Sequence, residues 1–353
     1  VKTLRTPSEL AGAGLAAVSD LASLGQVAAR YAVAVTPAFA ALIDPADPAD
    51  PIARQVLPQA FELHAAPDEM ADPIGDEAHA PVKGVVHRYR DRVLLKLTHT
   101  CAVYCRFCFR REAVGPAGGG ELTAGERDAA LAYIAGDPGI WEVILTGGDP
   151  LVLSARRLAD VMARLDAIAH VKVVRLHSRV PVADPAAITA ERVAALKRFS
   201  GAVYVAVHAN HPRELTPAAR AACARLVDAG VPLVSQSVLL KGVNDDAATL
   251  EALMRAFVET RIKPYYLHHL DLAPGTAPFR TRLEDGQALV RGLRGRVSGL
   301  CQPTYVLDIP GGYGKAPLNP CHLHGEGDAR RVEAPDGALH PYPPASAPDV
   351  ATD

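Results

Sequence analysis

The chain has 353 residues, 49% hydrophobic and 22% charged, with 37 Lys+Arg against 39 Asp+Glu for a net charge of −2. Such a length suits one large α/β barrel with appendages, and the balanced charge, with no Lys/Arg block, excludes a nucleic-acid or membrane partner held by bulk electrostatics. No apolar run reaches a membrane span, and Glu9 and Asp20 interrupt the alanine-rich start before a leader's apolar stretch forms, so a cytoplasmic protein is expected.

From Leu10 to Ala41 apolar residues recur at helical spacing, and Pro37 opens a second helix running to about Ile43. The three Asp-Pro steps in DPADPADPIARQVLP then predict an extended or turn segment, because each proline pushes its predecessor out of helical geometry. Residues 1–84 read as a helical and irregular extension wrapping the core. Short β-rich runs follow at Val93–Thr98, Trp141–Thr146, Val171–Leu176, Ala202–Val207, Val231–Leu239 and Pro264–His268. Helical patterns alternate with them at Thr123–Ala135, Ser154–Ala169, Ala186–Phe199, Thr216–Ala229, Ala247–Glu259 and Glu284–Arg296. Strictly alternating strands and helices predict a parallel sheet with right-handed crossovers, and six units suit a partial (βα)6 TIM-like barrel over residues 85–300. Another short strand, Thr304–Asp308, leads into a glycine-rich turn within residues 301–325. Residues 326–353 lack periodicity and are expected to be irregular.

The most informative stretch is VLLKLTHTCAVYCRFCFRR, where a strand ends and Cys101, Cys105 and Cys108 follow as C-x3-C-x2-C. Three thiolates hold three irons of a cubane cluster and leave the fourth open, whereas an electron-carrying cluster takes four cysteines. A structural zinc also wants four ligands, and no second C-x2-C occurs. Cys223, Cys301 and Cys321 are scattered and read as buried or free thiols. Gly147-Gly148-Asp149-Pro150 follows the second strand: glycines allow close backbone approach, and the carboxylate can accept from an ammonium group. HRYRDR precedes the first strand, where Arg88 and Arg92 offer either a solvated basic edge or a fork for a phosphate. Lys315 stands in GGYGK; Ala316 after it rules out a P-loop, and the turn suits a lysine that forms a Schiff base with a carbonyl cofactor.

The cysteine spacing resembles the radical S-adenosylmethionine superfamily. The wider run HRYRDRVLLKLTHTCAVYCRFCFRR, ILTGGDPL, VRLHSRVPV, HANHPRELT, LVSQSVLLKGVND, KPYYLHHLD and PTYVLDIPGGYGKAPL, from about Pro45 to Pro320, resembles the lysine 2,3-aminomutase family. The resemblance implies a radical S-adenosylmethionine barrel with a C-terminal segment bearing a pyridoxal 5′-phosphate (PLP) lysine. Cys101, Cys105 and Cys108 would hold a [4Fe–4S] cluster whose open iron binds S-adenosylmethionine, with Gly147, Gly148, Asp149, His208 and Gln236 seating that cofactor. Lys315 would carry PLP as an internal aldimine, contacted by Arg88, Tyr89 and Arg92. Arg110 would pair with the substrate carboxylate, and Asp271 and Asp308 would receive the ε-ammonium of lysine. The implied reaction moves the α-amino group of L-lysine to the β-carbon. A lysyl side chain of elongation factor P, arginine and glutamate are the alternative substrates; flavodoxin or ferredoxin is the expected electron donor, and a homo-oligomer the expected assembly. Two departures stand out. The tail offers only Cys321-His322-Leu323-His324 where longer members carry clustered zinc-binding cysteines, and His268 replaces a tyrosine of the longer members.

Overall fold

The computed structural model describes residues 2–115 and 119–344. Nine strands form one sheet in sequence order: β1 Val85–Tyr89, β2 Arg92–Thr98, β3 Glu142–Gly147, β4 Val173–Ser178, β5 Ala202–His208, β6 Leu233–Val238, β7 Ile262–His268, β8 Thr304–Ile309 and β9 Gly314–Pro317. Every neighbouring pair from β2 to β8 is parallel, while β1 and β9 add antiparallel at the two edges. The sheet is thus a nearly closed barrel, one parallel strand larger than the six-unit core, because the run at Thr304 joins the same sheet. HRYRDR is not a solvated edge: its first three residues end β1, which folds back on β2 with Val86 opposite Leu94.

Five helices packed on the sheet begin with a side-chain cap on the third backbone N–H. Thr123, Ser154, Thr189, Thr216 and Asp246 accept from Glu126, Arg157, Arg192, Ala219 and Thr249. Alternation along the strands then separates two faces. Val93, Leu95, Val143, Leu145, Val174, Leu176, Val205 and Val207 are buried in the core with helix residues such as Leu131, Ile134, Leu158 and Met162. The intervening residues of the same strands, among them Lys96, Thr146, Arg175, His177, His208 and Gln236, share the opposite face, so the concave side of the barrel is polar.

The extension differs in detail from its periodicity. Only short helices form, at Pro7–Gly12, Leu21–Arg30 and Pro37–Ala40, and the β-branched stretch before Pro37 is extended, with Leu4 bridging Val35. The last Asp-Pro step starts a helix, Pro51–Val56. Proline at the first helical position gives up no hydrogen bond there, and Asp50 caps Ile52 and Ala53 at 2.8 Å. The expected irregular tail contains structure: β11 Arg331–Glu333 and β12 Leu339–Pro341 form a small antiparallel sheet with β10 Leu323–His324, which just precedes the tail, in strands too short for periodicity to reveal. Residues 345–353 of that expected tail lie outside the described residues.

Candidate active site

The cysteine loop leaves the C-terminal end of β2, and the extension grips it. Arg106, 2% exposed, donates from Nε to both carboxylate oxygens of Glu62 at 3.0 Å and from Nη1 to Ala32 O at 2.8 Å. Arg111 reaches the same carboxylate and lies over the Tyr31 ring at 3.6 Å. Arg106 N donates to Gln55 O at 2.9 Å. These contacts hold the three sulfurs on a fixed backbone.

None of Cys101, Cys105 and Cys108 is in a disulfide. Burial, reinforced by Asp149 and the other two thiols, holds the Cys101 thiol well above its ordinary range, and burial next to Cys105 pushes Cys108 up to about 11. Without metal Cys101 and Cys108 are neutral thiols, so iron must displace their protons. Among the described residues no three His, Cys, Asp or Glu side chains converge on a single ion. Three thiols on one short loop, each within electrostatic reach of the others, are the donors a cubane with one open iron takes. The donor set fits such a cluster.

The turn after β3 is locked to this loop. Gly148 N donates to Thr98 O at 2.6 Å and Asp149 N to Thr100 O at 2.9 Å. A Cβ on Gly148 would stand 2.3 Å from Thr100 O, so only glycine permits the contact. Gly147 has φ +107°, also a glycine conformation. Asp149 departs from expectation. One of its oxygens accepts from Leu151 N and Ser178 Oγ, the other from Arg179 N and Val180 N, at 2.7–3.2 Å. A carboxylate has about four acceptor positions, and these are taken. Asp149 therefore ties β3 to the end of β4, and the turn is left with backbone carbonyl oxygen to offer an ammonium group.

His208 and Gln236 are register partners on β5 and β6. His208 stacks on Phe107 of the cysteine loop with ring centroids 5.7 Å apart. Burial, with the charge of Arg179, keeps its imidazole neutral, and Asn210 Nδ2 lies 3.3 Å from Nε2. The amide can only donate, which leaves the proton on Nδ1. Phe107 thereby links the loop directly to the end of β5.

At the other side of the barrel mouth Lys315 lies on β9 opposite Asp308 of β8, and its Nζ forms a short ion pair with Asp308 Oδ2. Lys315 N donates to the Tyr89 hydroxyl at 2.8 Å. His268 Nδ1 stands 3.5 Å from Asp308 Oδ2. Burial would raise the Asp308 carboxyl, but His268 and the Lys315 ammonium outweigh it and hold the group far below the carboxylate range. Asp271 moves the other way: burial and then the Asp308 charge push it up to about 7, against the opposing pull of Lys315, Arg110 and Arg88. Asp271 Oδ1, Asp308 Oδ1, His268 Nε2 and His177 Nε2 are buried atoms without hydrogen-bond partners. Orphans of this kind are rare in folded proteins, and a group of them around one amine is polar capacity that a polar ligand would satisfy. Lys315, Tyr89 and these atoms fit a carbonyl cofactor joined to the lysine.

Two further placements differ from the sequence reading. Arg88 and Arg92 do not form a fork. Arg88 donates to Ile74 O and faces Asp76 at 3.5 Å and Asp308 at 4.0 Å, whereas Arg92 lies over the Tyr89 ring at 3.8 Å and pairs with Asp91 at 2.6 Å. The two arginines stand on different strands of the β1–β2 hairpin, whose register slips between Val86 and Tyr89 so that Arg92 falls opposite Tyr89, which the run of basic letters hides. Arg110 has a partner already, donating to Asp76 Oδ2 at 2.8 Å and to Thr146 Oγ1 at 3.3 Å. Asp76 also faces Lys96 at 3.6 Å. Sequence reasoning missed both residues: Asp76 sits in a stretch that reads as linker, though a lysine interrupting the apolar run of β2 was a usable signal for Lys96.

The model of the radical SAM superfamily matches residues 95–253. The chain is 44% identical over 291 residues to the L-lysine 2,3-aminomutase of Acetoanaerobium sticklandii, covering 82% of this chain and 70% of that protein. The chain belongs to the lysine 2,3-aminomutase family. A second family member, the L-lysine 2,3-aminomutase of Clostridium subterminale, is 43% identical over the same shares of the two chains. The glutamate 2,3-aminomutase of Clostridioides difficile is 37% identical over 86% of this chain and 71% of its own length. The superfamily match takes in the three cysteines, the Gly-Gly-Asp turn, His208 and Gln236. Arg88, Tyr89, Asp271, Asp308 and Lys315 lie outside it.

Proposed function

We propose that this chain is an L-lysine 2,3-aminomutase, moving the α-amino group of L-lysine to the β-carbon. The observation that carries the substrate assignment is the carboxylate pair Asp271 and Asp308 at the barrel mouth, in the electrostatic reach of Lys315 and Arg110. S-adenosylmethionine, cleaved at a reduced [4Fe–4S] cluster, supplies the hydrogen-abstracting radical, and PLP supplies the carbonyl that carries the migrating nitrogen. Cys101, Cys105 and Cys108 hold the cluster; Gly147, Gly148, His208 and Gln236 line the seat for the S-adenosyl group beside it. Lys315 anchors PLP, with Tyr89 fixing the lysine's backbone and Arg88 turned towards the same space. Arg92, engaged with Tyr89 and Asp91, acts by holding the tyrosine.

The chain's own groups then determine what binds. Two carboxylates close together repel, and burial adds to the cost, so a cation between them is favoured and an acidic side chain is rejected. This favours lysine over glutamate, although a glutamate enzyme is among the relatives. Arg110 offers the opposite charge for the substrate carboxylate once Asp76 yields to it. A free amino acid suits this polarity better than a lysyl residue of elongation factor P, whose α-nitrogen is acylated. Among the described residues no helix is long and apolar enough to cross a membrane. We place the reaction in the reducing cytoplasm, with flavodoxin or ferredoxin as electron donor and a homo-oligomer as the working form.

The test is an anaerobic assay of the reduced, reconstituted protein with S-adenosylmethionine and PLP against L-lysine, L-glutamate, L-arginine and intact elongation factor P. β-Lysine is the expected product. Unchanged L-lysine with conversion of any of the others overturns the assignment. Borohydride should fix PLP to the wild-type chain and not to Lys315→Ala, with iron content equal in the two.

A further inference from the structure

Arg179, just after β4, has no part in the reaction outlined above. It is 6% exposed, and its Nη1 donates to Cys105 Sγ at 2.8 Å. Nη2 donates to Gln55 Oε1 at 2.7 Å and Glu214 Oε2 at 2.9 Å. Glu214 is fully buried, and its other oxygen accepts from Asn210 N, His211 N and Gln55 Nε2 at 2.9–3.2 Å. The guanidinium lies over the rings of Phe39 at 4.8 Å and Phe107 at 5.8 Å. A buried ion pair is a weak way to stabilise a fold, since desolvation costs several kcal/mol per ion. A thiol sulfur, moreover, is a poor acceptor until it is ionised. The network holds one N–H of a permanent cation on one ligand sulfur and fixes its position from four directions.

We infer that Arg179 is a positioning residue that sets the reduction potential of the cluster held by Cys101, Cys105 and Cys108. Its charge-assisted hydrogen bond to the Cys105 sulfur stabilises the negative charge that arrives with the electron, and Glu214 moderates the effect from the far side. One electron passes from an external donor to the cluster; at Arg179 no bond is made or broken and no proton moves. The inference rests on the cluster assigned under the proposed function.

The experiment is an anaerobic reductive titration followed by electron paramagnetic resonance, on reconstituted wild-type chain, Arg179→Gln, Arg179→Lys and Glu214→Gln, with iron and sulfide measured in each. The expected result is a cluster in all four proteins. The midpoint moves negative in Arg179→Gln and positive in Glu214→Gln, and Arg179→Lys falls between wild type and Arg179→Gln. A loaded Arg179→Gln with an unchanged or more positive midpoint overturns the inference while leaving the cluster intact. If Arg179→Gln does not load, the sign in Glu214→Gln decides: a positive shift supports the inference, and a negative shift or none defeats it. A wild-type chain that takes up no cluster removes the cysteine assignment itself, an outcome distinct from an absent shift.

Discussion

At the scale of single residues, the two mouth aspartates have the same chemistry and opposite protonation behaviour. Asp308 is held ionised by Lys315 and His268, while Asp271, pushed up to about 7, has no such partner. A cationic side chain binds the ionised form of Asp271, so protons compete with it below neutrality. The KM for L-lysine is therefore expected to fall as the pH is raised through about 7 and then level off, changing by about tenfold per unit well below that point. Asp271→Asn should show a high KM without this slope; a variant that retains the slope removes Asp271 as its source. The residues that carry such behaviour were legible unequally. Cys101, Cys105, Cys108 and Lys315 stand in short motifs whose chemistry admits few readings. The pairing of Arg110 with Asp76, and the four donors on Asp149, arise from contacts between segments far apart in sequence, which no local spacing encodes.

At the scale of elements, the cysteine loop is positioned by its neighbours more than by its own conformation. Gly148→Ala would place a Cβ 2.3 Å from Thr100 O, and backbone on both sides leaves little room to yield. We expect this variant to lose most of its iron while PLP is still fixed at Lys315 by borohydride; full iron content would show that the loop does not depend on the turn. Glu62 is the common anion for Arg106 and Arg111. Glu62→Gln strands two buried guanidinium groups, and chemical denaturation should show a loss of about 3–5 kcal/mol. The strands and helices of the barrel were readable because each alternates apolar residues at a fixed period and starts its helix with a capping side chain. The extension was misread as longer helices because alanine-rich letters carry helix propensity, whereas docking onto the loop demands the extended run from Tyr31 to Thr36.

At the scale of the whole molecule, the sheet stops short of closure. β1 and β9 are edges, and the segment before β1 bridges the interval: Gly311 N donates to Pro73 O at 3.1 Å, and His79 Nε2 lies 3.1 Å from Gly312 O. Gly75 has φ +66°, and a Cβ there would meet the Gly312 backbone at 2.8 Å. Gly75→Ala should therefore displace the turn that leads into Lys315. The expected outcome, opposite to that of Gly148→Ala, is weakened PLP binding with unchanged iron, read by the fraction of chain fixed by borohydride. Equal loss of both cofactors would mean that the barrel responds as one unit.

The same seam sets an order of events during synthesis. Gln55, Glu62, the three cysteines, Gly148, Arg179 and Glu214 have all left the ribosome before β8 and β9 are translated. A nascent chain thus possesses every side chain that grips the iron-holding loop while the anchoring lysine does not yet exist. The last strand of the barrel sheet to be made, β9, is the one that brings the anchoring lysine to the mouth.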